Sequence, residues 1–224
     1  MIRSLMALFG LVGALCAQTM TLQFTGDLNN GPSPAYIPGL SQSADVPLFD
    51  PALGQLVGVK LLLSSSVQTR MEFENDNGSP VDFTASLSGT SAATFGTLST
   101  NLMFQRNLSL TAGASDDVGG VCDWSGIDYI DTGLVAANSS ASTEIPGDGG
   151  TDLAPYIGPG TLPVYLTGSH DVSMDSHGDV KFRTSQSGEA STYTVIYTYV
   201  PVPEPSGVVL LGLSGVLLLA RRRR

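Results

Sequence analysis

The chain has 224 residues, a formal net charge of −10 at pH 7 and a hydrophobic fraction of 42%. Five of its ten basic residues lie within a few positions of the two ends, so residues 18–202 keep five basic and nineteen acidic side chains, a net charge of −14. A body this acidic repels phosphate groups, which excludes nucleic acid as a partner. Its length is enough for one domain with its own core.

The first seventeen residues have the composition of an export signal. Residues 1–4 form a short basic segment, residues 5–15 are apolar, and the small pair Cys16–Ala17 follows. This order predicts a secretory signal peptide over residues 1–17, removed close to Ala17.

The body that follows is rich in Thr, Ser, Gly and Val and lacks long helical periodicity, which favours strands and turns. Because eight to ten strands separated by turns are typical of such folds, we expect residues 18–200 to form an antiparallel β-sandwich, jelly-roll or immunoglobulin-like. We expect a signal helix before it and a hydrophobic helix after it. The alternating stretches that predict strands are residues 19–25, 57–63, 67–74, 81–87, 93–103, 107–112, 162–167, 180–184 and 191–200.

Two details of the connectivity are predicted from turn residues. The Asn-Asp-Asn-Gly-Ser-Pro run at 75–80 is typical of a tight turn and predicts a β-hairpin over residues 67–88. The Pro- and Gly-rich stretch 29–40 predicts a loop. In the last strand, 191–200, sizeable side chains occupy both faces, so we expect it to lie centrally in a sheet.

A Leu-Phe-Asp-Pro-x-Leu-Gly-x-Leu segment at 48–56 leads into the longest alternating stretch. We expect a turn in which Asp50 accepts hydrogen bonds while Leu53 and Leu56 enter the core. With the 152–160 segment and the Thr-Val-Ile-Tyr-Thr-Tyr close, this segment resembles the choice-of-anchor E domain, an extracellular domain that occurs with alternative C-terminal sorting signals. The resemblance implies a surface or matrix protein and carries over no catalytic residue.

Acidic loops are the candidate metal sites. Asp171, Asp175 and Asp179 are close in sequence to His170 and His177. Because neither this group nor Asp123, Asp128 and Asp131 matches a known calcium loop, we interpret both as polar surface and assign no cofactor, with Ca²⁺ as the alternative. Zinc through the two histidines lacks further ligands at useful spacing.

Three aromatic residues in loop-like segments, Trp124, Tyr129 and Tyr156, are the candidate carbohydrate ligands, since exposed rings stack on sugars. Enzymatic chemistry is not indicated, because the chain has no Gly-x-Ser-x-Gly motif. Cys122, the single cysteine after residue 17, is expected to be a buried or half-buried side chain rather than a nucleophile.

The C-terminal tail, residues 201–224, has three parts. Val202-Pro203-Glu204-Pro205 comes first, residues 207–220 are apolar and uncharged, and Arg221, Arg222, Arg223 and Arg224 end the chain. As a helix the apolar run would be about 21 Å long, short of the roughly 30 Å hydrocarbon core, which predicts a marginal anchor. The arginines predict a cytoplasmic C-terminus and a body on the opposite side of the membrane.

This order of parts resembles the PEP-CTERM sorting signal of Gram-negative bacteria. The resemblance implies transient anchoring in the inner membrane through residues 207–220, cleavage by an exosortase near the Pro-Glu-Pro motif, and release to the cell surface or its matrix. We therefore expect an exported, non-enzymatic protein of the cell surface or extracellular matrix. The alternative is a carbohydrate- or calcium-binding module of the exopolysaccharide matrix.

Overall fold

The computed structural model describes residues 19–33, 39–117, 122–147, 151–175 and 178–202. They form eight strands and two short 3₁₀ helices, at Pro51–Leu53 and Thr151–Tyr156. No helix within these ranges is long and apolar enough to cross a membrane. The strands are β1 (Met20–Ser33), β2 (Gly39–Pro47), β3 (Gly54–Asn75), β4 (Val81–Phe95), β5 (Leu98–Ala112), β6 (Tyr129–Pro146), β7 (Thr161–Met174) and β8 (Val180–Pro201).

The strands form two antiparallel sheets of four, which confirms the predicted β-sandwich. Sheet A has the order β1-β8-β3-β6 and sheet B the order β2-β7-β4-β5. β8 lies between β1 and β3, so the central position predicted from its two apolar faces is confirmed. The two segments for which flanking helices are predicted, in residues 1–17 and 207–220, lie outside the described residues.

The core lies between the sheets because side chains alternate along each strand. On β3, Val59, Leu61, Leu63, Met71 and Phe73 are each at most 1% exposed. Aromatic rings join the sheets at both ends of the sandwich. At one end the ring centroids of Phe73 and Phe83 lie 5.1 Å apart. At the other end the Phe49 ring packs against Tyr197 and the Phe95 ring packs against Tyr156.

A polar layer crosses the middle of this core. Ser65 and Ser191 of sheet A and Ser91 of sheet B are buried around the Glu189 carboxylate, to which Ser91 donates a 2.5 Å hydrogen bond. Gly168 makes room for the same carboxylate, since a Cβ there would lie 2.1 Å from Glu189 Oε1. Buried polar groups require such partners, so the layer fixes how the two sheets face each other.

The predicted hairpin over residues 67–88 is wrong. β3 pairs with β6 and β8, whereas β4 pairs with β5 and β7, so the 75–80 turn crosses from sheet A to sheet B. Neither Asn77 nor Gly78 has the positive φ that a tight Asn-Gly hairpin requires. Instead the buried Asn75 side chain donates to the Ser79 and Gly113 carbonyls and accepts from the Asn77 amide.

Several strands are longer than their apolar patterns predict. Residues 57–63 and 67–74 belong to one strand, because Ser64–Ser66 continue the pairing and Ser65 points into the polar layer. The stretches 180–184 and 191–200 likewise form one strand, β8. Residues 29–33 extend β1 into the predicted loop. β6 was not predicted, because its small side chains do not give a clear apolar alternation.

The segment at residues 48–56 is a turn, as predicted, with one correction. The Asp50 carboxylate accepts a 2.8 Å hydrogen bond from the Ala52 amide and caps the first 3₁₀ helix. Phe49 and Leu56 are buried, but Leu53 is 42% exposed and does not enter the core. The helical turn rotates Leu53 outward, away from the face that carries Leu56.

The buried Tyr156 side chain forms hydrogen bonds with the turn between β4 and β5. Its hydroxyl accepts from the Thr97 and Leu98 amides and donates to the Phe95 carbonyl, while the residue is fully buried. We expect Tyr156→Phe to lower the free energy of unfolding by about 1–3 kcal/mol, because it leaves the buried Leu98 amide without its acceptor and the Phe95 carbonyl without its donor. Urea denaturation of the full chain in non-ionic detergent measures this. Tyr165→Phe, at an exposed ring of β7, is the control and should change it by less than about 0.5 kcal/mol.

Candidate functional site

Three connections meet at one end of the sandwich. The Asn75 amide donates to the Asp128 carbonyl at 3.2 Å, and the Asp76 amide donates to the Asp179 carbonyl at 2.8 Å. The Gly113 amide donates to the Ile127 carbonyl at 3.0 Å, which closes the long connection between β5 and β6. These bonds bring the end of β3, the start of β6 and the start of β8 together.

The β5–β6 connection covers the outer face of sheet A. Because Met71 and Phe73 point into the core, their neighbours Glu72 and Glu74 point outward, yet both glutamates are buried. The Asp123 amide donates to Glu74 Oε1 at 2.9 Å, so the residues around 123 lie over the glutamates. Trp124 adopts a left-handed backbone conformation, φ 56°, which is rare for a bulky residue and marks a tightly specified turn.

Glu74, Asp117 and Asp128 form a carboxylate cluster in this place. Each offers one oxygen, and the three oxygens lie within 4.8 Å of one another. Glu74 and Asp128 are fully buried and Asp117 is half-buried. No donor of the described chain reaches Glu74 Oε2, Asp117 Oδ2 or Asp128 Oδ1.

Burial raises the pKa of Glu74 above its usual value, and the neighbouring acids Asp117 and Asp128 raise it further; the amides of Asp123 and Trp124 oppose this. Burial also raises the pKa of Asp117, with added repulsion from Asp123 and Asp128, while its contact with the Glu74 side chain lowers it. The arrangement therefore favours any species that brings positive charge between these groups.

A second acid, Glu72, is neutralised within the chain. Arg183 donates from Nε and Nη2 to its two carboxylate oxygens at 3.1 Å each, and Tyr129 donates to Oε1. These contacts, Arg183 foremost, lower the pKa of Glu72 to about 2. The Arg183 guanidinium also lies 4.0 Å from the centroid of the Trp124 ring, a cation–π contact. Glu72 is thus fully satisfied where Glu74 is not.

The structure separates the aspartates proposed from sequence near His170. Asp171 is exposed on β7, Asp175 accepts from the Thr84 amide at 2.7 Å, and Asp179 lies at the start of β8. Within the described ranges these three do not form a group close enough to share an ion. His170 is buried beside Ser187 in the core, and burial lowers its pKa; His177 lies outside the described residues.

The second sequence group contributes one member to the cluster. Asp128 belongs to it, whereas Asp123 accepts from Ser125 and closes its own turn, and Asp131 pairs with Arg70. Sequence reasoning missed Glu74, because a glutamate inside an alternating strand reads as a solvent-facing residue. It also missed Asp117, for which no spacing signal exists.

Of the candidate sugar ligands, two are brought together and one is not. Trp124 and Tyr129 are half-buried and pack edge to face with their ring centroids 6.5 Å apart. Tyr156 is fully buried and offers no ring to solvent. Val202 is 57% exposed, while the rest of the predicted sorting motif and the terminal arginines lie outside the described residues.

Comparisons with known proteins leave the family open. No protein-family model matches the chain, and no curated protein matches it. Among solved structures, the chain is similar to infectious bursal disease virus of the Gx strain, at 14% identity over 84% of this chain and 37% of that one, with a TM-score of 0.18. For the Gt strain the identity is 14% over 83% of this chain and 38% of the viral chain, and the TM-score is again 0.18. The chain thus spans little more than a third of either viral chain.

Cys122 lies beside the cluster as a half-buried thiol, as predicted. Its Sγ donates to Asp76 Oδ1 at 3.1 Å, and this bond, with burial and the surrounding acids, raises its pKa to about 11. We therefore expect Cys122 to react with iodoacetamide at pH 8 about a hundredfold more slowly in the folded chain than in urea, because so little thiolate is present. Mass spectrometry of the Cys122 peptide measures the rate.

Asp76→Asn should speed this reaction by removing the carboxylate, whereas Asp45→Asn, on β2, should not change it. Equal rates in the folded and unfolded chain would contradict the assignment.

Proposed function

We propose that the chain is an exported, non-enzymatic protein of the cell surface or extracellular matrix of a Gram-negative bacterium, sorted through a PEP-CTERM signal that an exosortase processes. The observation that carries the proposal is the order of segments: an export signal, an acidic β-sandwich, a Pro-Glu-Pro motif, a short apolar run and four arginines. Each segment has a physical role in export, folding, recognition or membrane orientation.

The end of the folded body supports this reading. β8 ends at Pro201, and the Val202 amide donates to the Leu53 carbonyl at 3.3 Å. Val202, the first residue of the motif, is exposed next to that contact. A peptidase could therefore act just beyond the last strand without disturbing the pairing of the sandwich.

The strand order supports a jelly roll as the finer fold class. Each sheet has four strands, and β4 and β5 are the consecutive strands that pair directly, while the other described connections cross between the sheets. Immunoglobulin-like sandwiches distribute seven or nine strands differently. Jelly rolls serve many functions, so this class by itself assigns none.

The sorting proposal is tested by Pro203→Ala combined with Glu204→Ala. We expect this variant to stay full-length and membrane-bound in the producing cell, because the peptidase no longer recognises its motif. Immunoblots of membrane, surface and medium fractions measure both length and location.

Glu144→Ala is the control, since it removes an exposed acid of β6 and should be trimmed and released as the parent chain is. Normal trimming and release of the double variant would overturn the sorting proposal.

A second function, a ligand-binding module of the exopolysaccharide matrix, is favoured by the pairing of Trp124 with Tyr129 and by the carboxylate cluster beside them. Arg183 covers one face of the Trp124 ring, so a sugar could stack only on the other. If the site binds carbohydrate, Trp124→Ala should weaken retention on the exopolysaccharide of the producing cell about fivefold or more, because a stacking ring is lost. Tyr165→Ala, at an exposed ring on sheet B, is the matched control.

Co-sedimentation of the full chain with the polysaccharide measures the effect. Equal retention of the parent chain and both variants would contradict a sugar site at Trp124.

A further inference from the structure

The carboxylates of Glu74, Asp117 and Asp128 lie together and are incompletely compensated. Two of the three residues are fully buried, and one oxygen of each has no donor. Burying an ionised carboxylate without a partner is costly, so such groups in native proteins are paired or bind a cation. The contrast with Glu72, which has Arg183 and Tyr129, shows that this end of the sandwich can pair its acids.

Among the described residues, the basic side chains near the cluster are engaged by other acids. Arg183 is engaged by Glu72, and Lys181, the residue of β8 opposite Glu74, lies 3.8 Å from Asp76. The partners that do reach the cluster are backbone amides. The Asp123 amide donates to Glu74 Oε1, and the Asp116 amide donates to Asp128 Oδ2 at 3.3 Å. These bonds fix the two carboxylates so that their other oxygens stay available.

We propose that Glu74, Asp117 and Asp128 together bind a divalent cation, with Ca²⁺ as the ion that fits best. The inference deepens the second function proposed above by naming its ligand, and it is independent of the sorting signal. The site lies on the outer face of sheet A, where the connection between β5 and β6 crosses the end of β3.

The spacing of the oxygens suits a single ion. Calcium–oxygen bonds are about 2.4 Å long, so two ligands on opposite sides of one ion are about 4.8 Å apart. All three oxygens of the cluster lie within that separation of one another. Three carboxylates supply part of the six to eight oxygens that Ca²⁺ takes, and water can supply the rest through the half-buried Asp117.

The donor set selects among metals. All three ligands are carboxylates, without the imidazole or thiolate ligands that zinc prefers. They come from β3, from the β5–β6 connection and from the residue before β6, so their geometry is irregular. Ca²⁺ tolerates irregular coordination, whereas Mg²⁺ requires a nearly ideal octahedron and gives up its water reluctantly.

The test is a calorimetric titration of CaCl₂ into the full chain, freed of metal with a chelator and held in non-ionic detergent. We expect one stoichiometric site. Glu74→Gln and Asp128→Asn should each weaken it at least about tenfold, since each removes a charged ligand. Asp171→Asn, an exposed acid of β7, should leave the affinity unchanged. Far-UV circular dichroism identifies a variant that has not folded.

Terbium luminescence locates the ion without relying on those variants. Trp124 is the single tryptophan, and its amide lies next to the Glu74 carboxylate, so excitation of its ring should sensitise Tb³⁺ bound in the cluster. We expect calcium to quench this emission at the concentrations that fill the calorimetric site. Trp124→Phe should lose the emission and keep the calcium binding.

Two results would overturn the proposal. One is the absence of stoichiometric calcium binding by the folded parent chain. The other is weak binding that Asp171→Asn reduces as much as Asp128→Asn does, which would mean a diffuse attraction to an acidic surface. Because the titration uses purified protein, its failure is distinct from a failure of sorting in the cell, and sugar retention is measured separately.

Discussion

The pairing of β3 along both of its edges is the constraint on which the rest of the molecule depends. β8 pairs with this strand from Gly54 to Asn75 and β6 pairs with it from Gly58 to Glu74, so its alternation is fixed over nearly its whole length. One face supplies much of the core. The other face carries Glu72 and Glu74 at its end, where the β5–β6 connection covers them. Core and carboxylate cluster are therefore two consequences of one strand register, because a slip of one residue would exchange the two faces.

Much of the architecture could be predicted from local pattern. The composition and alternation were sufficient for an all-β sandwich and for the central place of β8, since both depend on neighbours in sequence. Pairing partners depend on distant residues instead. The 75–80 turn looks like a hairpin in sequence, but the chain crosses there from sheet A to sheet B, and the tilted rings of Phe73 and Phe83 pack against each other across the core. The continuity of β3 through its serines could not be predicted, because Glu189, the buried partner of Ser65, lies 124 residues away in sequence.

The candidate site was harder to predict for the same reason. Glu74, Asp117 and Asp128 lie on three segments that meet only in the folded chain. An acidic chain also has many carboxylates, and the sequence gives no reason to prefer these three as metal ligands. The aspartates at residues 171–179 are close in sequence and predicted a metal site as the alternative to polar surface, but the fold separates their side chains. Mutual proximity, burial and the absence of a donor together distinguish this cluster from its surroundings, and none of these properties is visible in sequence. The proposed sorting signal is the opposite case, since its parts are contiguous and the proposal rests on their order in the sequence.

The proposed cation site places one ion between these three carboxylates. Anomalous X-ray scattering from crystals of the full chain grown with calcium, compared with crystals grown with a chelator, tests it most directly. We predict one anomalous peak in the calcium crystals, within about 2.6 Å of an oxygen of each of Glu74, Asp117 and Asp128, and no peak in the chelator crystals. A cluster without a peak in the calcium crystals, or a peak confined to Asp171, Asp175 and Asp179, would contradict the account.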